Sequence, residues 1–189
     1  MILPITVFGA QVLRKTADEI TSEYPNLQQL IADMFETMHN ADGIGLAAPQ
    51  VDFSIRLFIV DASPLAEDDP ALADFKKVFI NPVIIERFGE VVAYNEGCLS
   101  IPGLREDVKR ESQIRMKYLD ENWVEHEDVF EGLPARIIQH EYDHLEGVLF
   151  TDKISPLRKS LLKSKLIGMT KGKYEAGYKT KNPLRKKIA

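Results

Sequence analysis

Cysteine is almost absent from this chain: Cys98 is the only one in 189 residues, so no internal disulfide can form. A lone thiol fits a reducing cytosol and makes the thiol's own chemistry the question. Long apolar runs are also missing, and no stretch reaches the length needed to span a membrane. The first twenty residues contain Pro4, Gly9, Gln11 and Arg14 but no basic segment followed by an apolar one, so no secretory signal is visible. Internal repeats and low-complexity tracts are lacking, and no domain boundary shows before residue 153. Acidic residues nearly vanish from there on, where Glu175 alone faces a run of lysines and arginines. The net charge of -5 therefore hides an acidic body and a basic end. Such an end suits a polyanionic partner or a solvated extension.

What is present suffices for a fold: 44% hydrophobic residues can bury a full core in one domain. Residues 1–20 read as a surface strand or loop. Leu27, Leu30, Ile31, Met34, Phe35 and Met38 recur at helical spacing behind Pro25 and Asn26, which predicts an amphipathic helix. His39 at its end reads as structural. Gly43, Ile44, Gly45, Leu46, Ala47 and Ala48 carry little bulk before Pro49, so the backbone can approach another chain or close a tight turn. Gln50 follows with an amide able to donate to a developing oxyanion. Residues 56–60 read as a strand entering an acidic, proline-containing loop at 61–74. Residues 78–85 read as a strand broken or bulged at Pro82, and residues 91–94 as a shorter strand leading to Cys98. Ile114, Met116 and Tyr118 alternate with Arg115 and Lys117, and residues 123–130 return after a turn, with His126 exposed and paired among acids. Ser155 and Pro156 open a second helix over 156–167, with Leu157, Leu161, Leu162 and Leu166 on one face. The class is α+β, antiparallel β-sheets packed around a central helix, with a C-terminal helix and a basic tail.

That central helix carries Gln139-His140-Glu141-Tyr142-Asp143-His144-Leu145-Glu146-Gly147. Residues four apart share a helix face, so both imidazoles can reach one metal ion with Glu141 beside them. This is H-E-x-x-H, whose chemistry is hydrolysis: the metal makes hydroxide from water near neutral pH and the glutamate takes and returns the proton. Gly132, Leu133 and Pro134 read as the helix entry and Gly147 as its end. Leu133 and Ile137, with Ile138, Tyr142 and Leu145, make much of its girth apolar, so it should be buried. The alternative is a surface helix whose histidines pair with Glu141 and Asp143. A catalytic site needs a third ligand, and Phe150 stands where the longer metallopeptidase motif places a histidine. Cys98 is the better candidate, since a thiolate binds such a metal well; otherwise it is a small buried apolar residue.

Three stretches together, residues 43–50, Glu96-Gly97-Cys98-Leu99-Ser100 and residues 139–147, resemble the motifs of the peptide deformylase family, in the same order. The resemblance covers about residues 1–155. Tyr142 stands where that family commonly has phenylalanine or methionine, and the tail after Gly168 is not explained by the motifs. The resemblance implies removal of the formyl group from the N-terminal formylmethionine of newly made proteins, releasing formate, in a cytoplasmic, bacterial-type protein. It implies that Cys98, His140 and His144 hold one divalent metal ion and that Glu141 is the general base and acid. The expected ion is Fe(II), with Zn(II) or Ni(II) tolerated. The oxyanion donors fall on the Gln50 side chain and the Leu99 backbone N–H. Ile44, Gly45 and Gly97 would pair with the substrate backbone as an added strand. Arg105 matches a position contacting substrate further along, or is an ordinary surface arginine. Ile44, Leu133 and Ile137 could line a slot for the methionine side chain, and Glu96 and Asp143, with Arg110, could brace the site.

On this reading residues 1–168 form a single catalytic domain and residues 169–189 a basic, mobile tail. The basic segment is expected to dock on the ribosome, where formylated nascent peptides emerge. Two rivals stand against it. An H-E-x-x-H metallopeptidase would leave Cys98 and Gln50 without roles. A non-catalytic, metal-stabilised ribosome- or RNA-binding module would have no need of Glu141.

Overall fold

The computed structural model describes residues 1–182, and the part of the expected tail at 183–189 lies outside the described residues. Ile5–Thr6 forms a short strand, β1. The stretch around it is not a surface segment: Ile5, Val7, Leu13, Ala17 and Ile20 are buried. Their irregular spacing conceals this, because a winding segment has no single period to betray its inner face. Leu27–Asn40 forms α1, with Leu27, Leu30, Ile31, Met34 and Met38 on its buried side, as the spacing requires.

Gly45–Ala47 is β2, a 3-10 turn follows at Ala48–Val51, and Leu57–Asp61 is β3. The two strands expected around Pro82 and Tyr94 are one long strand, β4, at Lys76–Gly97. Its irregularities are absorbed as bulges against β5, Arg105–Leu119. One bulge sits at Asn81, whose φ of 48° is left-handed. Its side chain accepts from the Ile20 N–H at 3.0 Å and donates to the Ile20 carbonyl at 2.7 Å. Asparagine tolerates that conformation better than most residues, and here the bulge ties the N-terminal segment down. β6, Glu125–Glu131, leads into α2, Gly132–Leu145, and α3 follows at Pro156–Thr170.

The strands β2-β3-β4-β5-β6 form one five-stranded antiparallel sheet, and the class is α+β. Alternate residues of β3 face opposite ways and all are buried, so the sheet is covered on both sides at this strand. Phe58 and Val60 meet Ile137, Ile138 and Leu145 of α2. Leu57 and Ile59 meet Met34 and Met38 of α1. A third cluster joins Val7, Leu13, Ile101 and Phe150 to Leu162, Leu166 and Met169 of α3.

The leucine stripe expected on α3 divides. Leu162 and Leu166 are buried, whereas Leu157 is 70% and Leu161 63% exposed. Met169 completes the buried face instead, because the helix runs on to Thr170 and only its second half lies on the body. Beyond α3 the chain turns back. Thr180–Lys181 forms β7, which pairs in parallel with β1 as a separate two-stranded sheet. Residues 171–182, read as tail from their lysines, are thus laid against the body. Among the described residues no helix is long and apolar enough to cross a membrane.

Candidate functional site

β4 ends at Gly97, so Cys98 is the first residue released from the strand, and it faces α2. α2 is buried along most of its length, with His140, Glu141 and His144 all inside. It stops sharply after Leu145: Gly147 has φ 69°, and the Val148 N–H donates to the Asp143 carbonyl at 2.9 Å. That left-handed turn suits glycine, and an added Cβ would lie 2.7 Å from the Arg14 carbonyl carbon.

Donor atoms of Cys98, His140 and His144 lie within 4.8 Å of one another. The Cys98 sulfur is 3.3 Å from His144 Nε2. His140 donates its other nitrogen, Nδ1, to Glu96 Oε2 at 2.9 Å, which fixes the ring and leaves Nε2 for a ligand. One thiol and two imidazoles fit a divalent first-row metal ion. Phe150, at the position a downstream histidine would need, stacks on the His140 ring at 6.1 Å between centroids.

Glu96 anchors a buried charge network. Its carboxylate accepts from Arg110 at 2.7 and 2.9 Å and from Arg136 at 3.0 Å. Arg110 also donates to Asp143 at 2.7 Å, joining β5 to α2. Burial opposes charge on Glu96, but the Arg110 and His140 hydrogen bonds outweigh it and hold the carboxyl far below the usual range. The two histidines are driven apart. Burial lowers both, yet Cys98 and Glu96 lift His140 well above its ordinary value, while the His140 charge pushes His144 further down.

Glu141 is different, for burial dominates and raises its carboxyl to about 7, with the His140 charge acting against it. Among the described residues its Oε2 has no hydrogen-bond partner. The carboxylate lies over Gly45, where a Cβ would come within 2.5 Å of Oε1, so β2 needs glycine at that point. Gln50 is oriented by its own turn. The Ala47 N–H donates to its Oε1 at 2.8 Å, and Nε2 then points to Cys98 Sγ at 3.5 Å and Ser100 Oγ at 3.3 Å.

These groups line one cleft of about 620 Å³. It brings together Ile44, Gly45, Gln50, Gly97, Cys98, Leu99, Arg105, Leu133, Ile137, His140 and Glu141. His144 lies behind them, next to the Cys98 sulfur. Arg105 is at the rim, where its guanidinium donates to the Asn95 side chain at 3.0 Å and to its carbonyl at 2.6 Å. Among the other histidines, His39 is 2.9 Å from Asp61 and His126 2.9 Å from Asp120, both away from the cleft lining.

Two contributions escape sequence reasoning. Arg136 is buried, holds Glu96 and also donates to the carbonyls of Val108 and Val92 at 2.9 and 2.6 Å. The signal was there, an arginine one turn before His140 in the otherwise apolar run 133–138. The second is the cleft wall formed by Glu175, Ala176, Gly177 and Tyr178. The Tyr178 hydroxyl donates to the Leu99 carbonyl at 2.7 Å. Burial, with the Cys98 charge, pushes its phenol up to about 12, so it remains a donor at neutral pH. A lysine-rich stretch without apolar period carries no sign of this.

The family model described as polypeptide deformylase matches residues 2–160. A peptide deformylase of Christiangramia forsetii is 53% identical over 194 residues, covering 99% of each chain. A crystal structure of a peptide deformylase from Legionella pneumophila is similar with a TM-score of 0.78 and 37% identity, covering 90% of this chain and 96% of that one. A Met-Ala-Ser-bound class I type b peptide deformylase from Acinetobacter baumannii is similar at TM-score 0.74 and 38% identity, over 82% of this chain and 99% of that one.

Proposed function

The chain belongs to the peptide deformylase family, and on that premise we propose that Cys98, His140 and His144 hold its metal ion and that Glu141 moves the proton. The protein is a metal-dependent hydrolase that removes the formyl group from the N-terminal formylmethionine of newly synthesised proteins, releasing formate. One observation above all supports the roles. The buried Glu141 carboxylate, with Oε2 unpartnered among the described residues, adjoins the first of two imidazoles that converge with Cys98 within 4.8 Å.

A divalent ion held by Cys98, His140 and His144 would supply Lewis acidity, lowering the pKa of a water toward neutrality. We read the ion as Fe(II), with Zn(II) or Ni(II) tolerated, and anaerobic purification followed by metal analysis tests this. Glu141 takes a proton from the attacking water and hands it to the departing amine. Gln50 Nε2 and the Leu99 N–H meet the negative charge that grows on the former carbonyl oxygen. β2 is an edge strand, so Ile44 and Gly45, with Gly97 opposite, can take the substrate backbone as a further strand. Ile44, Leu133 and Ile137 form the apolar slot for the methionine side chain, and Arg105 at the rim meets residues further along.

Glu141→Gln keeps the size of the side chain but removes the base. Turnover of formyl-Met-Ala-Ser should fall by about 10²- to 10⁴-fold with metal content retained; a parent-like rate would sink the proton role. The acetylated and the unblocked peptide should both be inert, and cleavage of the unblocked one would favour a metallopeptidase.

We take residues 1–168 as the catalytic domain, its cleft walled in part by residues 175–178, and the basic segment from residue 153 on as a ribosome contact. Its support is the exposure of Leu157 and Leu161 beside lysines such as Lys163, Lys171, Lys173 and Lys179, which have no ion pair among the described residues. Lys163→Glu with Lys171→Glu should leave turnover of the small peptide unchanged and weaken salt-dependent co-sedimentation with ribosomes. Unchanged co-sedimentation removes the idea.

A further inference from the structure

Three consecutive carbonyls in the turn that carries Cys98 are each held by a donor. The Ile101 N–H donates to the Cys98 carbonyl at 2.9 Å, the Tyr178 hydroxyl to that of Leu99 at 2.7 Å, and the Phe8 N–H to that of Ser100 at 2.8 Å. Only the first donor belongs to the turn itself. Phe8 lies just beyond β1 and Tyr178 just before β7, and these two strands pair with each other. The small parallel sheet therefore clamps the turn from both ends of the described chain.

The arm bearing Tyr178 is itself fixed. The Ile5 and Val7 N–H groups donate to the Lys179 and Lys181 carbonyls at 2.9 and 3.1 Å. Asn182 donates to the Met169 carbonyl at 2.8 Å, and the Tyr174 and Thr180 hydroxyls meet at 2.9 Å. Lys181 pairs with Asp52, two residues from Gln50. A half-buried phenol delivered by so many contacts to one backbone oxygen is a placed group, and the oxygen it holds belongs to the residue following Cys98.

We propose that Tyr178 is a positioning residue for deformylation: its hydroxyl fixes the Leu99 backbone so that the Leu99 N–H is in place for the oxyanion. This rests on the reading of Leu99 as an oxyanion donor. Donors of that kind work because they need no rearrangement when charge appears, and a displacement of about 1 Å can cost about 10²-fold. A turn between a strand and a loop has no such rigidity of its own, and the strap 173–182 supplies it.

Tyr178→Phe retains the ring and removes only the tether. On the metal-loaded full chain, kcat for formyl-Met-Ala-Ser should fall by about 10-fold while KM stays within about twofold. Metal stoichiometry should hold, and amide exchange at Leu99 and Ser100 should quicken by about 10-fold. Tyr118→Phe, which removes a phenol hydroxyl hydrogen-bonded to Asp128 at 2.7 Å and touches neither the strap nor the turn, should leave kcat within about twofold. An equal loss in that control, a rise in KM alone, or unchanged kcat and exchange in Tyr178→Phe would each overturn the proposal. Replacing the amide between Cys98 and Leu99 by an ester, through semisynthesis, removes the Leu99 N–H. If the ester costs nothing, the oxyanion reading itself fails and the proposal goes with it. If the ester is costly, combining it with Tyr178→Phe should add little further loss; full additivity shows that Tyr178 acts elsewhere and refutes the tether.

Discussion

Glu96 shows how much one side chain can decide. It is buried, accepts from Arg110 and Arg136, and orients His140. Glu96→Ala would leave two buried guanidiniums short of a partner and free the His140 ring to rotate. The expected cost is about 3–5 kcal/mol in urea unfolding, and metal affinity measured by chelator competition should drop about 10- to 100-fold. Gly45 is the opposite case, a residue defined by what it lacks. A methyl group there would sit 2.5 Å from Glu141 Oε1. Gly45→Ala should lower kcat by about 10²-fold by displacing that carboxylate, with a much smaller change in unfolding midpoint. The three motif stretches made these residues legible as a site, because their chemistry is unusual for their neighbourhoods. Arg136 was less legible, since an arginine on a helix is ordinarily solvated and nothing local says that its charge is spent on a glutamate forty positions away in sequence.

At the scale of elements, α3 separates what periodicity predicts from what packing selects. Leu161 and Leu162 are neighbours in sequence, yet only Leu162 reaches the cluster with Val7, Leu13 and Phe150. Leu162→Ala should destabilise by about 2–3 kcal/mol and Leu161→Ala by less than about 0.5 kcal/mol, both read by urea denaturation. The stripe was visible because leucines at helical spacing are visible. Which half of it would be covered depends on where the body ends beneath the helix. β4 is a similar lesson: Pro82 reads as a break or a bulge, and the bulge at Asn81 lets one strand run through it.

For the whole molecule, the contrast between an acidic body and a basic end acquires an internal meaning. Arg158 pairs with Glu106, Lys159 with Asp152, Lys153 with Asp143 and Lys181 with Asp52. Part of the polyanion that the basic segment fits is the protein itself. Asp152 also binds Arg14 of the N-terminal segment and accepts from the Leu149 N–H at 2.8 Å. Burial raises its carboxyl, but Arg14 and that N–H outweigh it, so it lies below its ordinary 3.8. A carboxylate held low in the folded state adds stability that is fully present above the unfolded value and is lost as pH falls through the folded one. Asp152→Asn should therefore lower stability at pH 7, and the gap to the parent should shrink below about pH 3.8, as denaturant titrations at pH 7 and pH 3 would show.

The sequence by itself determined the α+β class and the helices α1 and α2, and it made the proposed ligand and base residues conspicuous. Those features are local: a helix repeats within a few residues, and Cys98, His140, Glu141 and His144 are conspicuous because their chemistry is out of place in an apolar setting. Only the tertiary structure decided that the N-terminal segment is buried, that Glu96 is braced by Arg136 as well as Arg110, and that residues 175–178 wall the cleft with Tyr178 on the Leu99 carbonyl. Each of these joins segments far apart in the chain through single polar contacts or irregular packing. Such contacts leave no period behind them, so nothing in either segment announces the other.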